Sequence, residues 1–326
     1  MTKKTRLFLL IAAGVLVAGL GTGLVASYMG VQTLSLIGAD GPAELAYMPA
    51  DARLLGYADV QAVMNSEFRQ RIRDLNPRDQ QGDDLRDRTG INIETDVDHV
   101  VVAFLGASSE NQRPLAAARG RFDEVRIESF VRERGAQAED YKGERLFVMT
   151  EDDGDSLALS FVEPGLALFG EAAAVRLGID TKAGSTNMTD NGELMALVRD
   201  VEDGTAWAVG RFDAIAADRI PQGVADQLPA INLFAASGHI NGGIQATLRA
   251  ETRDDMAAQN LRDVVRGFIA LARLQVGTNE QLVTLLNSVQ LAGDGRTVAL
   301  SVTIPADALN LIAPRREREQ ARATVQ

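Results

Sequence analysis

The chain has 326 residues, 46% hydrophobic and 24% charged, with a net charge of −12 and no cysteine. These are the proportions of a globular protein long enough for a full core, and they exclude disulfides, thiolate chemistry and cysteine-ligated metals. Residues 30–313 hold 26 Lys and Arg against 43 Asp and Glu, an acidic body that excludes nucleic acid as a partner, since phosphate binding needs a basic face.

The chain opens on Lys3, Lys4 and Arg6 and continues with residues 7–29, which carry no charge. As a helix these 23 residues span about 34 Å, enough for a hydrocarbon core of ~30 Å. The three basic residues are a topology signal that keeps the N-terminus cytoplasmic and sends the rest to the periplasm of a bacterial-type cell. A cleaved signal peptide is the competing reading, with Val25 and Ser27 as small residues at the cleavage site. The apolar stretch exceeds an ordinary signal core of about 7–15 residues, which favours a retained single-pass inner-membrane signal anchor. No Cys follows it, so a lipoprotein anchor is excluded. Gly14 with Ala18, and Gly19 with Gly23, repeat small residues at four-residue spacing, the pattern that lets a second membrane helix pack closely. An integral membrane protein is therefore the expected partner of this helix.

Residues 31–50, with Gly38, Gly41, Pro42 and Pro49, read as a tether. A strand at 53–60 then leads to a helix at 61–75, with Val63, Met64, Phe68 and Ile72 near one face. After a polar loop come strands at 99–105 and 115–122. Asp123 caps a helix at 124–134 because its carboxylate accepts free first-turn amides. Strands at 145–150 and 156–162 flank Glu151-Asp152-Asp153-Gly154-Asp155. Pro164-Gly165 makes a tight turn into a strand at 166–170 and a short helix at 171–178.

A helix at 192–201 lies in a connector, 181–204. A strand at 206–212 follows, in which Gly210-Arg211-Phe212-Asp213 repeats Gly120-Arg121-Phe122-Asp123 letter for letter. Asn241-Gly242 joins strands at 233–240 and 243–251, a strong hairpin signal. The long helix at 255–276 has an apolar stripe of Leu261, Val264, Val265, Phe268, Ile269 and Ala272. A helix at 279–288, a hairpin of 289–292 with 297–304 around Asp294-Gly295, and a short helix at 306–312 complete the chain. The order of elements occurs twice. The fold class is therefore α+β, one N-terminal transmembrane helix followed by a tandem-duplicated antiparallel sheet-plus-helix exterior region. Its parts are a basic tip and anchor at 1–30, the tether at 31–50, repeats at 51–180 and 205–313 around the connector, and a charged tail at 314–326.

Chemistry-bearing motifs are scarce. The two histidines, His99 beside Asp96 and Asp98, and His239 in Ser237-Gly238-His239, read as structural or surface residues. No G-x-S-x-G and no phosphate-binding loop occurs, and the glycines at 19, 21 and 23 lie inside the apolar segment rather than after a strand. The acidic run 151–155 lacks the order of a calcium loop and reads as a hairpin turn; 187–193 reads as a loop opening a helix. Trp207 and Phe212 read as core. Arg315-Arg316-Glu317-Arg318-Glu319 reads as a solvated end. No catalytic, metal or cofactor residue is assigned.

The expected function is that of a membrane-anchored, non-enzymatic scaffold or accessory subunit of a larger membrane complex. Its acidic surface is suited to a basic periplasmic partner. The alternative is a periplasmic carrier or sensor that holds an apolar ligand beneath the long helix at 255–276.

Overall fold

A computed structural model describes residues 41–67, 69, 92–106, 113–150, 156–184, 186–214, 231–241, 243–275 and 280–305. It is α+β, with a large antiparallel sheet and several helices. The strands are β1 (Leu54–Asp59), β2 (Val97–Leu105), β3 (Arg113–Gly120), β4 (Gln137–Tyr141), β5 (Glu144–Thr150), β6 (Ser156–Glu163), β7 (Leu166–Glu171), β8 (Ala206–Arg211), β9 (Ile231–Asn241), β10 (Gly243–Thr252), β11 (Gln290–Ala292) and β12 (Thr297–Pro305). They form one twelve-stranded sheet in the order β11-β12-β10-β9-β8-β1-β2-β3-β7-β6-β5-β4. The first and second halves of the chain meet where β1 pairs antiparallel with β8, Tyr57 lying opposite Trp207.

The helices are α1 (Val60–Asn65), α2 (Ile93–Asp96), α3 (Glu124–Glu133), α4 (Ala172–Ala183), α5 (Gly192–Val201), α6 (Asp255–Gln275) and α7 (Glu280–Ser288). On one face of the sheet, Leu55, Tyr57, Val101, Ala103, Leu115, Ala117, Leu168, Trp207 and Val209 form the main core with α4 and α5. Val60 of α1 shares the second cluster with Val100, Val102, Ala116 and Ala118, the strand residues that alternate with the first set and so point to the opposite face. Both faces of β2 are thus covered, which is why VVVAFL reads as an unbroken apolar run rather than an alternation.

Several expectations are met within a residue or two, and others change. The helix expected at 61–75 breaks at Ser66, whose backbone is extended (φ −70°, ψ 146°). Its hydroxyl donates to the Val63 carbonyl and accepts from the Arg69 amide, so it closes one segment and opens the next. Strand β4 was not expected: Gln-Ala-Glu-Asp-Tyr has no apolar alternation because it is an exposed edge, and charge on an edge strand discourages pairing with another chain. The helix expected at 171–178 runs on to Ala183. Among the described residues the two ends of α6 differ in burial. Ala258, Leu261 and Val265 pack with Val298 and Leu291, whereas Phe268, Leu271 and Leu274 are exposed.

The stretch read as tether is the largest difference. After Gly41 and Pro42 a 3-10 helix, Ala43–Tyr47, is folded into the main core, with Leu45 and Met48 fully buried. Met188 donates its amide to the Met48 carbonyl (2.7 Å), and Asn191 donates its side-chain amide to the Ala50 carbonyl (2.8 Å). The connector at 181–204 is likewise core, through Met188, Leu194, Met195, Leu197, Val198 and Val201.

Among the described residues no helix is long and apolar enough to cross a membrane. The expected anchor at 7–29, its topology signal Lys3, Lys4 and Arg6, and its packing residues Gly14, Ala18, Gly19 and Gly23 lie outside the described residues. The acidic run at 151–155 and the helix expected at 306–312 also lie outside them.

Candidate functional site

In the pairing of β2 with β3, His99 lies directly opposite Arg119. Side chains at opposite positions stand about 5 Å apart, close enough for one anion placed between them to meet both. The 3-10 helix supplies that anion. Glu44 is buried and lies across the pair, with Oε2 3.0 Å from His99 Nε2 and Oε1 accepting from Arg119 Nε at 2.8 Å. Each carboxylate oxygen thus has its own partner.

The cluster extends along the strand ends. Arg119 is opposite Leu166, the first residue after the Pro164-Gly165 turn, which brings it to Glu163 Oε2 at 3.3 Å. Tyr47 donates its hydroxyl to Glu163 Oε1 at 2.8 Å. Lys182, from α4, lies 3.7 Å from the same oxygen and 4.9 Å above the Tyr47 ring. The turn is fixed from below: the Gly120 amide donates to the Gly165 carbonyl at 2.9 Å, and Gly165 takes φ +72°, as its place in the turn demands. On the other side Tyr57 stacks on Trp207 (centroids 5.5 Å) and lies 5.6 Å from the His99 ring.

Burial alone pushes the Glu44 carboxyl upward. The hydrogen bond and charge of His99, then the hydrogen bond of Arg119, outweigh burial and hold it down at about 2. Glu163 is subject to the same opposition: burial raises it, while Tyr47, Arg119 and Lys182 lower it. Arg119 is raised in turn, with desolvation opposed by Glu44 and Glu163. Asp59, opposite His99, is raised, chiefly by burial, although its carboxylate caps α1 by accepting from the Ala62 amide at 2.7 Å. A carboxylate held this low, with both oxygens occupied, is a weak base and has no proton to give near neutrality. The arrangement is therefore suited to fastening the N-terminal segment to the sheet.

Of the residues singled out in the sequence, His99 joins this cluster and Trp207 is core. His239 stands on the surface, 4.0 Å from Asp203. Phe212 is only partly buried. Among the described residues no group of three or more His, Asp and Glu side chains is placed to hold a metal ion. Glu44, Tyr47, Arg119 and Glu163 were not anticipated, because their contacts span 44 to 116 positions of sequence. The only local signal was the apolar set Leu45, Tyr47 and Met48 within the supposed tether.

No protein-family model matches the chain, and no curated protein matches it. Among solved structures, crystal form I of TP0453 superposes over 82% of this chain and 94% of that one, with a TM-score of 0.49 and 9% identity.

Proposed function

We propose that this chain is a single-pass, membrane-anchored accessory subunit or scaffold of a larger membrane complex, non-enzymatic, with its body on the periplasmic side. One observation carries the reading. Residues 7–29 are long and apolar enough to span a bilayer, and the first described residues after them, from Gly41, lead straight into core packing at 43–48. Anchor and body are then joined by at most residues 30–40, which reach ~40 Å at full extension. The buried cluster supports a structural role for its charges, since Glu44 spends both oxygens on its own chain. The packing of Ala258, Leu261 and Val265 onto Val298 and Leu291 favours this reading over a carrier with a cavity under α6.

The same proposal takes the body as a tandem duplication. Outward from the β1–β8 seam the strands run β1-β2-β3-β7-β6 in one half and β8-β9-β10-β12-β11 in the other, which gives each of these strands a counterpart. The repeated Gly-Arg-Phe-Asp does not support it, because its copies begin on β3 and β8, which are not counterparts. Two units of common origin are expected to reassemble into the full sheet when co-expressed as residues 1–185 and 186–326; separate halves that fold without binding each other would end this part of the reading.

Gentle extraction from membranes followed by native electrophoresis tests the subunit role. A species well above the 34.9 kDa of one chain is expected. Migration as a lone monomer overturns it.

A further inference from the structure

The second half of the sheet carries an apolar layer that the described residues leave open. Along Gly267-Phe268-Ile269-Ala270-Leu271-Ala272-Arg273-Leu274, near the end of α6, Arg273 is the single charge. A helix that is apolar all round belongs in an interior. Yet Phe268, Leu271 and Leu274 are 42%, 56% and 80% exposed. Val283 on α7, which packs against α6, is exposed as well. So is Leu248, which stands opposite Leu300 of β12 and shares the face of β10 that carries Ala250 beneath α6.

The chain leaves the sheet at this layer. Strand β12 ends at Pro305, paired with Gly243. Just before it, Thr303 is tied twice to Ser288, the last residue of α7, whose hydroxyl donates to the Thr303 carbonyl at 2.7 Å and accepts from its amide at 3.1 Å. Val283 stands ~7.5 Å before Ser288 along the helix. Residues 306–313 follow Pro305 directly and lie outside the described residues. Between Pro305 and Pro314 they carry one charge, Asp307, opposite in sign to Arg273, and the apolar side chains of Leu309, Leu311 and Ile312. Such a segment reaches ~12 Å as a helix and ~27 Å when extended, so α7 and the α6 surface beside it are within range either way. Contact between the two removes apolar side chains of both from water. A stable interface with another chain takes about 800 Å² per partner. A patch of a few side chains, each already partly covered, falls short of that and suits a short segment.

We infer that the apolar layer on α6, α7 and β10 is the docking site of the chain's own residues 306–313, which close it from outside. The chain has no cysteine, so a single thiol reports on one position. Leu271→Cys is placed in the full chain and in a chain ending at Pro305, and its reaction with a maleimide is timed in intact membranes and after extraction into detergent. Val125→Cys on α3, 77% exposed, is the control.

In the full chain, Leu271→Cys is expected to react at least tenfold more slowly than Val125→Cys. Removal of residues 306–326 is expected to bring it to the control rate, with Val125→Cys and the circular dichroism spectrum unchanged. Leu311→Asp in the full chain, which removes no residue, is expected to give the same release, and it decides the matter should the shortened chain fail to fold. Equal rates at Leu271→Cys with the segment intact and with Leu311→Asp would overturn the docking. So would protection that disappears on dilution, which marks a second copy, or on extraction from membranes, which marks lipid or a membrane partner.

Discussion

At the residue scale the body is organised around one carboxylate. Glu44 is tolerated in the interior because His99 and the Arg119 guanidinium meet its two oxygens, since a buried charge stripped of its partner costs about 3–5 kcal/mol. Arg119→Met removes one cation and is expected to destabilise the body by roughly that amount in denaturant titration. Glu44→Gln leaves His99 and Arg119 facing each other and is expected to cost about 2–3 kcal/mol. The pH dependence follows from the lowered Glu44. A carboxyl whose folded pKa lies below its unfolded value stabilises the fold above the unfolded pKa, and that stability is lost as pH falls through the folded one. With about 2 in the folded protein against 4.5, the loss falls between these values and amounts to on the order of 3 kcal/mol. Acid titration monitored by circular dichroism is expected to show this slope in the native protein and a clearly shallower one in Glu44→Gln; equal slopes would remove Glu44 from the account. None of this was legible in sequence, where Glu44 stood among glycines and prolines, 55 positions from His99 and 75 from Arg119.

At the element scale, local chemistry explains most of the boundaries. Asp123 caps α3 by accepting from the Arg126 amide at 3.1 Å, as its position before Glu124 predicts. Asp123→Ala is expected to cost ~1 kcal/mol and to speed hydrogen exchange in the first turn of α3 selectively. The two Gly-Arg-Phe strings, although on unrelated strands, solve the same local problem. Arg121 donates its amide to the Asp96 carbonyl and Arg211 donates to the Arg53 carbonyl, each as a strand ends over the start of its neighbour. The glycine before each arginine allows that approach: a Cβ on Gly120 would lie 2.1 Å from the Asp96 carbonyl oxygen, and one on Gly210 would lie 2.6 Å from that of Arg53. Alanine at either position is expected to cost ~3 kcal/mol or more. Gly192→Ala, whose Cβ meets nothing within 4 Å at the start of α5, is expected to be neutral or slightly stabilising. Melting curves for the three variants separate these cases. The letter match was visible in the sequence; its cause was not, because the neighbouring strand that each glycine touches comes from elsewhere in the chain.

At the scale of the whole molecule, the body begins earlier than its composition suggests. Deleting residues 1–40 is expected to release the protein from membranes with its melting temperature unchanged. Deleting residues 1–49 also removes Glu44, Leu45, Tyr47 and Met48 from the core. Loss of a buried Leu or Met side chain costs about 2–5 kcal/mol, so this shorter chain is expected to be unfolded or insoluble. Equal stability of the two truncations would show that residues 41–49 are dispensable. In the continuous sheet β8, β1 and β2 are the fifth to seventh of twelve strands, and their amides, with core residues on the face beneath α5, are expected to exchange slowest.

The sequence by itself determined the α+β class, nearly every strand, the cap of α3 and the Pro164-Gly165 turn, because periodicity, capping and turn preference act over a few residues. It also set the charge balance and the apolar segment on which the anchored reading stands. Only the tertiary structure decided that the twelve described strands form one sheet, that residues 43–48 of the supposed tether are core, and that Glu44, His99 and Arg119 meet. Those outcomes depend on which surfaces a folded chain brings together over long sequence separations, and no local pattern of residues encodes that choice.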